Sequence, residues 1–511
     1  MGTDSQNGYI RVFRSMLITA IAFIVNYGIN LVLTPFITEN VSTEAYGYVT
    51  MAKNFAQYAV LITTALNSFS SRYISIEYHK GNKKKASQYF NSVFFGDVFI
   101  GSAIFFVLLL FTLFINVFLN ISDNVLRDVQ TLFFFVFINF WLTTIFTVFG
   151  TAAYIANKLD VTGLFKALSY IAEALVLFVV FKLFPPKVFY VGVGLCVASL
   201  VVVISNFFIT KRNTPDLKIQ RRDFSGKCVK QLVVNGVWNS LNSLGNQLNS
   251  GLDLLVCNLL LTELAMGQLA IAKTIETIFA GLLQLVATSF QPILLRSYAA
   301  GEKNKLLYDL KFSMKIGGFL SNIAFAGFIA FGLAYYRLWI PNQDISLVYG
   351  LTVVTVLANV ASGPMVPLYY IYTLTVKNRI PCIVTIIGGL ANVLGMYVGI
   401  KYFGFGIYTV VWTTAIVMSI INLITNPIYM AKVLGLPLKT FYPNIVRNLI
   451  SCFLLVGALN ILSHILQPTS WGGLIVAILL SAIIGALIHF LVVFEKGDWN
   501  NVKHFLRKRR I

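Results

Sequence analysis

Asn235, Asn239, Asn242, Asn246, Asn249 and Asp253 follow one another at steps of 4, 3, 4, 3 and 4. At about 100° per residue, six side chains so spaced fall within an arc of roughly 80° on an α-helix. Amides in such a row suit hydrogen bonding to hydroxyl-rich ligands such as sugars. The residues around them are apolar, and a helix crossing a bilayer cannot turn this face to hydrocarbon. Each unpartnered polar group there costs several kcal/mol. The face must therefore look into a polar interior, either a packed bundle or a water-filled cavity.

Two more stripes flank it. Lys53, Gln57, Thr64, Ser68 and Ser71 keep to one helical face, as do Lys273, Thr277, Gln284, Thr288 and Gln291. A weaker stripe of Ser15, Thr19, Asn26 and Asn30 lies near the start of the chain. Taken singly, each amide also fits plain interhelical hydrogen bonding, worth under about 2 kcal/mol. Four polar faces together outline a central hydrophilic cavity. Lys53 and Lys273 would each cost about 3 kcal/mol facing lipid, and their place on the stripes points them inward. They suit a phosphate. Asp253 and Glu276 flank Lys273 and are the candidates for neutralising it or for holding a coupling cation or proton. Arg11, Arg14, Arg72 and Arg296 gather at the cytoplasmic helix ends, where they form a basic mouth for a phosphate headgroup. Lys166 and Glu173 lie two turns apart and are expected to pair with neighbouring helices. Asp97, Lys315 and Arg447 are expected to solvate at the interfaces.

The elements that must position these groups are membrane helices. Of 511 residues, 57% are hydrophobic and only 11% charged. Hydrophobic stretches recur at 12–37, 45–71, 88–119, 129–152, 161–182, 188–210, 231–261, 265–295, 308–336, 346–375, 380–400, 407–430, 443–466 and 472–494. The fold class is thus an all-α polytopic membrane protein with about fourteen transmembrane helices. Gly363, Pro364 and Pro367 interrupt the tenth stretch, where a kink or hinge is expected. The net charge of +20 comes from 39 Lys and Arg against 19 Asp and Glu. Its dense sites, Lys80 to Lys85, Lys211 to Lys230, Arg296 to Lys311 and Lys496 to Arg510, fall on one set of alternate loops. Segments 38–44, 262–266 and 467–473 contain none. This asymmetry places both termini in the cytoplasm of a cell membrane and accounts for the charge without nucleic acid. The tail, with Trp499, Val502, Phe505 and Leu506 among basic residues, suits an interfacial helix.

An internal repeat appears at an offset of 220. It pairs Asn26 with Asn246, Ala45 with Ala265, Gly47 with Gly267 and Lys53 with Lys273. The same register matches Tyr78, Gly81, Lys83 and Lys85 to Tyr298, Gly301, Lys303 and Lys305. The reading is two homologous six-helix bundles in parallel orientation. The N-terminal lobe spans 1–210, a basic cytoplasmic linker 211–230 and the C-terminal lobe 231–431. Residues 432–511 add two transmembrane helices and a basic tail. A substrate site is expected between the lobes.

The sequence shows no nucleophile motif, Gly-rich phosphate loop or metal-spaced cluster, so no enzyme, cofactor or metal is expected. Five scattered cysteines offer no disulfide framework.

With Leu33, Thr34 and Pro35 closing the first span, Ala45, Tyr46 and Gly47 opening the second, and the Tyr78 to Lys85 turn, the chain resembles a known family. This is the multidrug/oligosaccharidyl-lipid/polysaccharide exporter superfamily, in its polysaccharide biosynthesis (O-antigen-type, Wzx-like) flippase branch. The resemblance implies movement of a polyprenyl-pyrophosphate-linked oligosaccharide from the cytoplasmic to the outer leaflet, alongside polysaccharide polymerase and glycosyltransferases. Two lobes would rock about a cationic cavity. A lipid II flippase and a cation-coupled multidrug antiporter are the alternatives. The residues carried into the cavity are Lys53, Lys273, Asn26, Asn30, Asn239, Asn242, Asn246, Asn249 and Gln57.

Overall fold

A computed structural model describes residues 24–156, 158–375, 377–495 and 498, and among these it is helical throughout with no strand. Eleven of the described helices are long and apolar enough to cross a membrane. The three remaining stretches are helix 24–40, helix Thr43–Asn67 and helix Gly226–Ser250. These three carry the polar stripes of the first, second and seventh stretches. In Thr43–Asn67 and Gly226–Ser250, the amides and the lysine lower the apolarity that defines a span.

The chain divides into two compact units, residues 1–270 and 271–511. In the first, helices Lys83–Leu113, Leu126–Ile145, Leu159–Leu183 and Phe189–Asn213 pack as neighbours, and Gly226–Ser250 lies along Thr43–Asn67. Asp128 fixes one entry: its carboxylate accepts from the backbone N–H of Val188 and Phe189, both at 3.0 Å, at the start of helix Phe189–Asn213. Those amides have no partner within their own helix, and a carboxylate favours that end of the dipole. In the second unit, helix Lys303–Trp339 is the centrepiece. Ile345–Ser362, Tyr442–Leu466 and Trp471–Val493 all pack on it. The two additional C-terminal helices therefore dock on the third helix of the second repeat.

The repeat is visible atom by atom in the two turns. Gly81 and Gly301 have φ of +81° and +69°, a region that glycine enters without penalty. Gly81 N–H donates to Tyr78 O at 3.1 Å, and Gly301 N–H to Tyr298 O at 3.1 Å. Asn82 N–H donates to Glu77 O at 3.0 Å, and Glu302 N–H to Ser297 O at 3.3 Å. The buried clusters beside the turns repeat as well: Ile74, Ala86, Phe90 and Val148 in one, Leu294, Leu306, Leu310 and Leu368 in the other, each pair 220 apart. Burial within hydrocarbon gives little transfer gain, so these contacts act through van der Waals fit.

Helix breaks repeat too. The tenth stretch gives way to a 3₁₀ turn at Val366–Tyr369, as its prolines lead one to expect. The fourth breaks at the matching place, Thr147–Gly150, without any proline.

The segment between the lobes is stitched to the first unit. Asn91 Oδ1 accepts from Gln220 N–H at 2.7 Å while its Nδ2 donates to Lys218 O at 3.0 Å. Ser92 exchanges two hydrogen bonds with the Ser225 backbone, at 3.1 and 3.0 Å, and Ser87 donates to Asp223 at 2.7 Å. All five cysteines are free and buried.

Candidate functional site

The polar seam of the first unit is built on the contact between helices Thr43–Asn67 and Gly226–Ser250. Gly236 makes the approach possible: a Cβ there would sit 2.0 Å from the Ala65 carbonyl oxygen. Ser240 Oγ donates to Leu61 O at 2.5 Å, and Asn235 Nδ2 donates to Tyr73 Oη at 2.8 Å. Asn54 and Tyr58 both donate to Gly251 O, at 3.3 and 2.5 Å. Along the stripe, Asn242 and Asn246 are exposed, Asn235 is exposed with its amide on Tyr73, and Asn239 is half-buried. Asn249 is buried, and its Nδ2 donates to Gly245 O at 2.7 Å. The stripe thus runs from accessible amides to a closed end.

Asp253 departs from the expected arc. The helix ends at Ser250, Gly251 turns, and a separate helix begins at Asp253. The 3.6-residue period that placed the asparagines together stops before it. The Gly251 carbonyl released by this break is the acceptor for Asn54 and Tyr58. Asp253 itself is fully buried, in the first turn of helix Asp253–Leu260, where the dipole favours a carboxylate.

Lys53 is half-buried and Gln57 exposed on helix Thr43–Asn67. Lys53 lies within coulombic reach of Glu173, on helix Leu159–Leu183. Glu173 is 5% exposed, its Cγ packed beside Gly194, and it is sensed by Tyr170 as well. A spacing argument within single helices does not reach this pair, because it joins the second span to the fifth. On helix 24–40, Asn26 and Asn30 are half-buried, and Asn30 Nδ2 donates to Asn26 O at 2.9 Å. In the second unit, Lys273 is 9% exposed and Glu276 half-buried, one turn apart on helix Glu263–Ala299. Thr277 donates to Lys273 O at 2.7 Å, and Gln284 and Thr288 are exposed farther along the same helix.

Arg72 and Arg296 are exposed, whereas Arg11, Arg14 and the tail beyond Asp498 lie outside the described residues. Two charges expected to solvate do not. Asp97 is fully buried and accepts from Asn67 Nδ2 at 2.9 Å. Lys315 is 3% exposed and pairs with Asp498. Each found a polar partner inside the protein, so the cost of desolvation did not force it to an interface. Arg447 is half-buried and pairs with Glu495. Its guanidinium holds Glu495, just past the last span, below the usual carboxylate range.

Two polar clusters were not anticipated from sequence. In the first unit, Asn120 and Asn258 exchange three hydrogen bonds of 2.7 to 2.9 Å. Glu263 accepts beside them from Tyr48 at 2.7 Å and Ser122 at 2.9 Å. In the second unit, Tyr369 donates to Asn422, and Tyr372 to Asn426 Oδ1 at 3.2 Å. This cluster spans the 3₁₀ break and the π-turn Ile421–Thr425. The tyrosines and Pro367 were the available signal for it.

The polysaccharide biosynthesis protein family matches residues 12–297. The uncharacterized membrane protein EpsK of Bacillus subtilis (strain 168) is 26% identical over 491 residues, 96% of this chain and 97% of that protein. Among solved structures, the lipid II flippase MurJ in an inward closed conformation is similar with a TM-score of 0.67 at 17% identity. That likeness covers 93% of this chain and 99% of the other. An inward-facing multidrug resistance MATE family transporter of the MOP superfamily gives 0.63 at 14% identity, over 83% of this chain and 98% of its own. These two likenesses establish a shared fold.

Proposed function

The chain belongs to the polysaccharide biosynthesis protein family, within the multidrug/oligosaccharidyl-lipid/polysaccharide exporter superfamily, and from that premise we propose that it is a lipid-linked oligosaccharide flippase rather than an enzyme. Its substrate is a polyprenyl-pyrophosphate-linked repeat unit, moved by alternating access from the cytoplasmic to the outer leaflet of the cell membrane. Both termini are cytoplasmic, and polysaccharide polymerase and glycosyltransferases work beside it. The single observation that carries the reading is the polar seam. Accessible Asn235, Asn242 and Asn246 stand on a helix packed against the one that carries Lys53.

A lipid carrier keeps its tail in hydrocarbon while its sugars and pyrophosphate cross a polar path. Amides exchange donors and acceptors with sugar hydroxyls. Lys53 and Lys273 meet phosphate as point charges. Glu173 near Lys53 and Glu276 beside Lys273 compensate the lysines while no anion is bound, and these acids and Asp253 are the candidates for a coupling proton or cation. Arg11, Arg14, Arg72 and Arg296 form the basic entrance, and residues 1–210 and 231–431 act as the two lobes joined by linker 211–230.

The test is extraction of lipid-linked oligosaccharide after depleting the protein, with its leaflet assigned by a membrane-impermeant lectin or hydrolase. Accumulation on the cytoplasmic leaflet, reversed by wild type but not by Lys53→Glu, supports the reading. Accumulation of peptidoglycan precursor instead would turn it toward a lipid II flippase. Loss of resistance to cationic drugs with no lipid accumulation would favour the antiporter.

A further inference from the structure

Asp97 lies fully buried in the middle of helix Lys83–Leu113, with one hydrogen-bond donor, Asn67, the last residue of helix Thr43–Asn67. That amide satisfies Asp97 Oδ1 alone. Asp97 Oδ2 and Asn67 Oδ1 are both buried without a hydrogen-bond partner among the described residues. Their chain neighbours Leu66, Phe90 and Val93 belong to one buried apolar cluster. Packing is tight there: a Cβ on Gly96 would lie 2.8 Å from Leu66 Cδ2.

An ionised carboxylate so placed needs a cation or several donors, since its desolvation costs several kcal/mol. The elements packed against this helix supply neither. Arg72, His79, Arg127, Lys227 and Lys230 are exposed, as are Arg221 and Arg222. Lys53 stands about 20 Å back along its helix from Asn67, near Glu173. Glu77 pairs with Lys85, Asp128 holds the start of helix Phe189–Asn213, Asp223 accepts from Ser87, and Glu44 is at the far end of its helix. Tyr48, Tyr58 and Tyr73 are bonded to Glu263, Gly251 and Asn235, and Cys228 is a buried thiol of the apolar cluster. Only Asn67 acts on the Asp97 carboxyl. A proton on Oδ2 removes the charge and makes that oxygen a donor, and Asn67 Oδ1 is an unfilled acceptor on a side chain already in contact. A hard metal cation would want about six oxygens, and two are free. The second repeat has Ala287 and Gly317 at these two places, so the fold is built there without an acid–amide pair.

We propose that Asp97 and Asn67 form a proton-binding site of the first unit, loaded as the neutral acid and emptied when the polar seam shifts. The link to the seam is short. Helix Thr43–Asn67 ends at Asn67, and the next helix begins at Ser70. The same end meets Gly236, where a Cβ would lie 2.0 Å from Ala65 O and 2.7 Å from Ser68 Oγ. Loss of the proton leaves a charge that must be hydrated, which moves Asn67 and with it the contact between helices Thr43–Asn67 and Gly226–Ser250. The proton leaves Oδ2 for water, and the oxygen keeps the electron pair. The inference stands on these side chains, independent of what is transported.

The test is infrared spectroscopy of the full-length protein in detergent, titrated with pH, with the Asp97→Asn spectrum subtracted from that of wild type. A protonated carboxyl stretch is expected in the difference at neutral pH, shifting in heavy water and giving way to carboxylate bands as pH rises. Asp97→Glu should restore an acid band, and melting temperatures report that both variants are folded. Maleimide labelling of Asn242→Cys should change with pH in the wild-type background beyond the change seen with Asp97→Asn, which carries the thiol's own pH dependence. A difference spectrum with carboxylate bands alone at neutral pH overturns the proposal. So does an acid band that no pH removes while the protein stays folded. Carboxylate bands that shift when sodium chloride is added at fixed pH overturn it in favour of a metal cation. Equal pH responses of labelling in the two backgrounds overturn the link to the seam.

Discussion

Lys315 Nζ lies 2.6 Å from Asp498 Oδ2, with the two side chains only 4% and 3% exposed. Around them, Tyr308 donates to Asp498 at 3.2 Å, Glu495 N–H donates to it at 2.8 Å, and His489 Nε2 lies 3.0 Å from Lys315 O. The chain just past the last span is thereby pinned to the third helix of the second repeat. Removing one member leaves the other charged and buried. Asp498→Ala should cost about 3–5 kcal/mol, whereas Lys315→Met together with Asp498→Leu should recover most of it. Thermal unfolding in detergent measures both; equal loss in the single and double variants would contradict the pairing.

Gly236 against the Ala65 carbonyl predicts a second outcome. Gly236→Ala forces apart helices Thr43–Asn67 and Gly226–Ser250 and should cost about 1–3 kcal/mol, since the obstructing atom is backbone. Ala65→Gly should not rescue it. Thermal unfolding and lipid accumulation in cells should both register the change.

The Lys53–Glu173 relationship separates a structural role from a transport role. Exchanging them as Lys53→Glu with Glu173→Lys keeps the opposite charges together. Folding should survive the exchange while transport falls, if Lys53 meets the substrate phosphate. Full transport by the swapped protein would reduce the pair to scaffolding.

Accessibility along the seventh stretch supplies another check. Asn242→Cys and Asn246→Cys should react with a hydrophilic maleimide in the purified protein, and Asn249→Cys should be protected. The five native cysteines are buried, so background labelling should be low. Uniform labelling of all three positions would mean that the stripe has no closed end.

How much of this was readable beforehand differs by element. The membrane class, the repeat and the kinship followed from composition, spacing and the Tyr78 to Lys85 turn, because hydropathy and helical period are local properties. Residues Asn235 to Asn249 share one continuous helix for the same reason. Asp253 did not, because the helix ends before it at Gly251, whose carbonyl accepts from Asn54 and Tyr58 of another helix. The break at Thr147–Gly150 had no proline to announce it, while its counterpart at Val366–Tyr369 did.

Sequence by itself determined which helix faces are polar, since every residue's angular position on a helix is fixed by its number. It also determined that lysines at 53 and 273 could not face lipid cheaply. Tertiary structure alone decided their company: Glu173 for Lys53, Asp498 for Lys315, Asn67 for Asp97, and Asp216 for Lys83. Electrostatic and hydrogen-bonding partners are chosen by contacts between helices far apart in the chain, and no periodicity within one helix encodes them.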